Sequence, residues 1–131
     1  MENHGITDKQ MEEISLLQQG NSSLLDLVKM YFSAYETQNR EMIEALLHDD
    51  FIFSSPQDDR ISRKAYLELC WPFSKEHPSY ELQKMMAGKN EIIVVYNCRI
   101  KNNAEFRNAE LICFDGIKIR NIEVFFGKNV G

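Results

Sequence analysis

Three consecutive runs decide the fold of this chain: EIIVVYNCRI (residues 91–100), AEFRNAELICF (residues 104–114) and GIKIRNIEVFF (residues 116–126). Each is rich in β-branched and aromatic residues, and each is bounded by turn-forming residues. The first two are separated by the polar residues around 101–104, the last two by Asp115-Gly116, a hairpin signal. A further strand is expected over about residues 80–86. In NAELICF, Glu110 alternates with Ile112 and Phe114, so the pleat places one acid on an otherwise apolar face. In GIKIRNIEVFF, Ile117, Ile119 and Phe125 share one face while Ile122, Val124 and Phe126 share the other. A sheet that is apolar on both faces must cover both.

The half of the chain that precedes these runs reads as helical. Leu24, Leu27, Val28, Tyr31, Phe32 and Tyr35 recur at helical spacing behind Ser22 or Ser23. A break near Gln38-Asn39 leads to a shorter helix capped by Asn39, with Met42, Ile43, Leu46 and Leu47 inward. Phe51 to Phe53 reads as a short strand, stopped by Pro56 and the polar run to Asp59. Ser62 caps another helix through Ala65, Tyr66 and Leu69, which ends at CWPF because Pro72 disfavours helix before it. A first helix over about residues 8–19 is capped by Thr7, with Gln10 completing a capping box. Helices first and consecutive antiparallel strands afterwards make an α+β chain rather than a doubly wound one.

Composition narrows the function classes. A chain of 131 residues fits one domain and buries roughly two-thirds of the surface its unfolded form exposes. The net charge of -5, with Lys and Arg scattered, argues against nucleic acid and anionic membranes as partners. The N-terminal MENHGITDKQMEE lacks the apolar core of a signal peptide, and no run approaches the length of a membrane span. Cys70, Cys98 and Cys113 are odd in number and lack C-x-x-C spacing, which suits reduced thiols and a cytoplasmic location. No histidine pair has metal-ligand spacing and no glycine-rich phosphate loop is present, so neither a metal nor a cofactor is expected.

The strings LVKMYFSAYETQNREMIEALLHDDFIFSSP (residues 27–56) and FDGIKIRNIEVFFG (residues 114–127) resemble the nuclear transport factor 2-like superfamily. The likeness is to its SnoaL-like and ketosteroid-isomerase-like members. It implies a cone: a curved antiparallel sheet wrapped around the N-terminal helices, a cystatin-like α+β barrel, with an extra N-terminal helix. On that reading residues 1–21 are a helical extension and residues 22–131 the domain. The resemblance also implies an oxyanion tyrosine at Tyr31, a strand acid at Glu110 and a proton-moving base at position 55, just before Pro56. Here that position is Ser55, and a serine hydroxyl is no base near neutral pH unless a neighbour takes its proton.

The expected cavity therefore has Tyr31 and Glu110 as catalytic candidates, with His77 as a further acid–base group. Tyr35, Phe53, Ser55, Trp71, Phe73, Met85, Tyr96, Ile112, Phe114 and Val124 are expected to line it, and Trp71-Pro72-Phe73 to form a lid. Asp58 and Asp59 lie in an acid-rich turn that reads as solvated, with Asp58 a second candidate base. A competing reading pairs Glu110 with Arg99, Arg107 or Arg120 on neighbouring strands. The expected ligand is small and largely apolar, handled by isomerase-, cyclase- or dehydratase-like proton transfer without a metal. The alternative is a noncatalytic ligand-sensing or dimerisation domain of the same fold. The outer sheet face is expected to meet a second copy of the chain.

Overall fold

The computed structural model describes residues 7–10 and 24–129. Thr7 and Gln10 form the expected capping box: the Gln10 amide donates to Thr7 Oγ1 at 3.1 Å and the Thr7 amide to Gln10 Oε1 at 2.9 Å. The remainder of the helix expected over residues 8–19 lies outside the described residues, as does most of the proposed extension over residues 1–21.

Helix α1 (Leu24–Glu36) buries Leu27, Val28, Tyr31, Phe32, Ala34 and Tyr35, so two aromatic hydroxyls ride on the face that meets the sheet. It ends in a Schellman motif. The Asn39 amide donates to Ala34 O at 2.8 Å and the Gln38 amide to Tyr35 O at 3.3 Å, with Gln38 at φ 55°. Asn39 then starts α2 (Arg40–Leu46) by accepting from the Met42 amide at 3.0 Å. The carbonyls at the end of α2 are met by cations: Arg63 donates to Glu44 O at 2.9 Å and Lys118 to Ala45 O at 2.6 Å.

Six strands follow: β1 (Leu47–Ser54), β2 (Ile61–Ser62), β3 (Ser79–Gly88), β4 (Glu91–Arg99), β5 (Glu105–Asp115) and β6 (Lys118–Asn129). Between β2 and β3 lie α3 (Arg63–Leu69), capped by Ser62, and a 3₁₀ helix (Trp71–Glu76). The sheet order is β2-β1-β6-β5-β4-β3. Its two ends, β2 and β3, do not pair with each other, so the curved sheet is open rather than a closed barrel. Pairing is antiparallel except between β1 and β6, which run parallel.

The register stacks the concave face in layers. The deepest row is Ile92–Ile112–Ile122, the next is Val94–Glu110–Val124, and the outermost is Tyr96–Asn108–Phe126. A bulge opposite Cys113 and Phe114 corrects the simple alternation expected for β6. The extra residue turns Ile119 inward, beside Ile122 and Val124 and away from Phe125. Phe125, half exposed, stays on the convex face with Ile93 and Met86.

Gly127 sits where β6 crosses β5, and a Cβ there would collide with the Arg107 carbonyl oxygen. Gly127→Ala is expected to lift the end of β6 from Arg107 and Asn108 at a cost of about 1–3 kcal/mol. Denaturant titration with amide exchange at those two residues checks this, and unchanged protection would contradict it.

Candidate functional site

Glu110 is carried into the interior by β5, in a row whose other members are valines. It is 4% exposed, and among the described residues its side-chain partners are tyrosines, with no arginine paired to it. Arg99 instead pairs with Glu105 at 3.0 Å, and Arg120 donates to Asp50 O. The carboxylate is held by hydroxyls from two elements. Tyr31, on α1, donates to Oε1 at 3.1 Å, and Tyr96, diagonally across on β4, donates to Oε2 at 2.6 Å. Asn108 Nδ2 donates to the Tyr96 hydroxyl at 3.4 Å.

The network extends away from Glu110. Tyr66, buried on α3, lies 3.3 Å from the Tyr31 hydroxyl and 2.5 Å from that of Tyr35. A phenol has one hydrogen to give. With Glu110 ionised, all these contacts are satisfied in one order only: Tyr35 to Tyr66, Tyr66 to Tyr31, Tyr31 to Glu110, and Tyr96 to Glu110. The rings are locked by packing, with Tyr35 against Trp71 at 4.8 Å, Tyr66 against Phe51 at 5.0 Å and Tyr96 against Phe32 at 5.0 Å.

Burial governs the ionisation of these groups. Desolvation raises Glu110 to about 7, although the hydrogen bonds from Tyr96 and Tyr31 pull the other way. Burial first, and the nearby Glu110 charge second, lift Tyr31 well above the ordinary phenol value. Tyr35, Tyr66, Tyr80 and Tyr96 are likewise raised mainly by burial, so the tyrosines stay protonated.

A cavity of about 510 Å³ opens above this network. Of the residues expected at the site, Tyr31, Glu110, Tyr35, Phe53, Ser55, Phe73, Tyr96 and Val124 line it. Others are elsewhere, for reasons of depth. Ile112 and Phe114 lie on the right face of β5 but below Glu110, sealed in the core. Met85, on β3, pairs with Val94 of β4 and is half-buried outside the cavity wall. Trp71 is buried behind Tyr35, which makes it a support for that ring and leaves Phe73, packed on Phe106, at the mouth. Because the chain continues from α3 into the 3₁₀ helix, His77 is carried to an exposed corner, where its Nδ1 meets Gln38 Nε2 at 3.0 Å. It does not reach the cavity wall.

Ser55 serves the turn: its Oγ accepts from the Gln57 and Asp58 amides at 3.1 and 3.2 Å. Tyr66, Tyr80, Phe106 and Asn108 also line the cavity and were not among the expected site residues. For Tyr66 a signal existed, since a tyrosine at an inward helix position carries a hydroxyl that must find a partner. Among the described residues no lysine or arginine lines the cavity, and no group of His, Cys, Asp and Glu is placed to hold a metal ion.

The family model for the SnoaL-like domain matches residues 28–122. No curated protein matches the chain. Solved structures with the same fold include a nuclear transport factor 2-like protein of unknown function from Cytophaga hutchinsonii. It is 22% identical, with 80% of this chain and 90% of that chain covered and a TM-score of 0.68. SalBIII, an epoxide hydrolase/cyclase-like enzyme of pyran ring formation in the polyether salinomycin, is 16% identical, covering 79% and 90% with a TM-score of 0.70. An M. tuberculosis LEH-like epoxide hydrolase is 14% identical, covering 79% and 82% with a TM-score of 0.68. At such identities the likeness is one of fold.

Proposed function

The chain belongs to the SnoaL-like domain family, and from that starting point we propose that its cavity binds a small, largely apolar molecule through one acceptor oxygen. The bound molecule is then activated for isomerase-, cyclase- or dehydratase-like proton transfer. One observation carries this reading: Glu110 is buried between two tyrosine hydroxyls on the wall of a cavity lined by no lysine or arginine among the described residues.

Counting hydrogens gives the reading its chemistry. With Glu110 ionised, the hydroxyls of Tyr35, Tyr66, Tyr31 and Tyr96 are all consumed by contacts within the network. Protonating Glu110 adds one hydrogen and no new internal acceptor. One donor then turns to the cavity, where a carbonyl, hydroxyl or ether oxygen can take it. Held in a dry site, such a donor stabilises negative charge developing on that oxygen. Binding of an oxygen-bearing ligand is thus linked to protonation of Glu110.

The test uses 2-decalone, a bicyclic ketone, titrated calorimetrically against the purified protein. Its affinity should be constant below about pH 7 and fall about tenfold for each pH unit above. Uptake of about one proton per complex is expected at the alkaline end. Affinity independent of pH, or equal binding of the parent hydrocarbon decalin, would end this reading. Binding without turnover is the second reading, favoured by the commitment of Ser55 to its turn.

Two further features belong to the proposal. Ile93, Met86 and Phe125 leave an apolar patch on the convex face, which supports a homodimer formed through that face. The cysteines are unpaired, which supports a reducing, cytoplasmic setting. No described helix is long and apolar enough to cross a membrane.

A further inference from the structure

We propose that Asp58 is the proton-transferring carboxylate of this cavity, held in place by the Ser55 hydroxyl. The inference rests on the binding reading above and adds to it the group that moves a proton to and from carbon.

The turn after β1 is what brings Asp58 inward. The Ser55 amide donates to Asp58 O at 2.8 Å and the Asp58 amide donates to Ser55 O at 3.3 Å, closing a four-residue loop around Pro56. Ser55 Oγ already accepts from the Gln57 and Asp58 amides, so its own hydrogen is free to point elsewhere. It is directed at Asp58 Oδ2, 3.4 Å away. Asp58 is half-buried and lines the cavity, whereas its neighbour Asp59 is exposed and does not. Of the two acids in a turn that reads as solvated, Asp58, the candidate base, is therefore the one that lines the site.

Asp58 and Glu110 line the same cavity from different elements, Asp58 from the β1 turn and Glu110 from β5. The Cys70 thiol, in the same lining, is pushed up to about 11, by burial first and then by the charges of the two carboxylates. They are separate in environment as well: Glu110 is enclosed by hydroxyls, and Asp58 stands beside Gln57 at the mouth. Two carboxyl groups in contrasting surroundings divide acid and base work between them.

The step balances without a co-reactant. A ketone oxygen accepts from the protonated Glu110 network, and Asp58 removes a proton from the adjacent carbon. The C–H electron pair becomes the new C=C bond, and the carbonyl π pair moves to oxygen, which takes the network's proton. The reverse transfer from Asp58 returns a proton to carbon, at the same position or along the conjugated chain.

The experiment follows exchange of the α-hydrogens of 2-decalone for deuterium in D₂O by NMR, with the intact chain. The wild-type protein should accelerate exchange over buffer. Asp58→Asn should lower that acceleration by about 100-fold or more, the range for a general base, while 2-decalone affinity stays within about threefold. Ser55→Ala should lower it about tenfold and Ser55→Thr should restore it, a pattern that a merely structural serine would not produce. Asp59→Asn should leave it unchanged. Exchange retained in Asp58→Asn, or wild-type exchange no faster than buffer while the ketone binds, would overturn the assignment. Absence of ketone binding in the wild type would instead defeat the binding reading on which it rests.

Discussion

Glu110→Gln is expected to flatten the dependence of stability on pH between about 4.5 and about 7. The physical cause is desolvation: a carboxylate enclosed by Val94, Val124 and tyrosine rings loses its hydration, and two hydrogen bonds replace only part of it. Its folded value lies above the unfolded one, so the contribution of this group to stability is fully present below about 4.5. It is then lost as pH rises through about 7. The shift corresponds to a loss on the order of 3 kcal/mol, since each unit is worth about 1.4 kcal/mol. Denaturant titrations of both proteins across pH 4 to 9 measure this as a difference, so that carboxylates common to both cancel. Parallel stability curves would show that Glu110 titrates normally, and the neutral-acid role would fall with them. A glutamine keeps the volume but must turn an amide N–H₂ toward one hydroxyl, so one tyrosine of the pair should also show a changed environment by NMR.

Phe51→Ala should have the largest effect on stability, about 3–5 kcal/mol. Phe51 is 1% exposed at the inner face of β1, and its ring packs on Tyr66 at 5.0 Å. Removing it opens a void directly behind the tyrosine that joins Tyr31 to Tyr35. The loss should therefore appear twice: in the denaturation midpoint, and in a displaced Glu110 titration as Tyr66 relaxes away from Tyr31. Phe51→Leu, which fills much of the space, should cost less and leave the Glu110 titration nearly in place. If both variants lost stability equally and neither moved the titration, Phe51 would be packing alone, without a part in holding the network.

Much of this molecule is legible along the chain because it depends on near neighbours. The phase of Leu27, Val28, Tyr31, Phe32 and Tyr35 predicts the buried face of α1, and that face is the one buried. The Thr7–Gln10 box and the Asn39 and Ser62 caps are likewise short-range hydrogen bonds that residue type and spacing announce. The alternation of Glu110 with Ile112 and Phe114 places the acid on the inner face of β5, and all three are buried. The hairpin turn expected at Asp115-Gly116 falls one residue later, over residues 116–117 between the paired Asp115 and Lys118, with Gly116 at φ 63°.

Sequence patterning could not supply depth. Ile112 and Val124 look equivalent as inward strand residues, yet one is beneath Glu110 and the other beside it, a difference set by cross-strand register. The β6 bulge shifts Ile119 to the core face, and the parallel pairing of β1 with β6 joins segments far apart in sequence. His77 illustrates the same limit, because the angle between α3 and the 3₁₀ helix decides whether a loop points into the cone or out to solvent.

What the sequence by itself determined is therefore the set of elements, their order and the presence of one acid on an apolar strand face, because these follow from periodicity and local hydrogen bonding. Only the tertiary structure decided what surrounds that acid. Tyr31, Tyr66 and Tyr96 reach Glu110 and one another from α1, α3 and β4, and whether a buried carboxyl meets an arginine or a phenol decides its charge. That choice rests on a few ångströms of packing between distant segments, where no short-range pattern can register it.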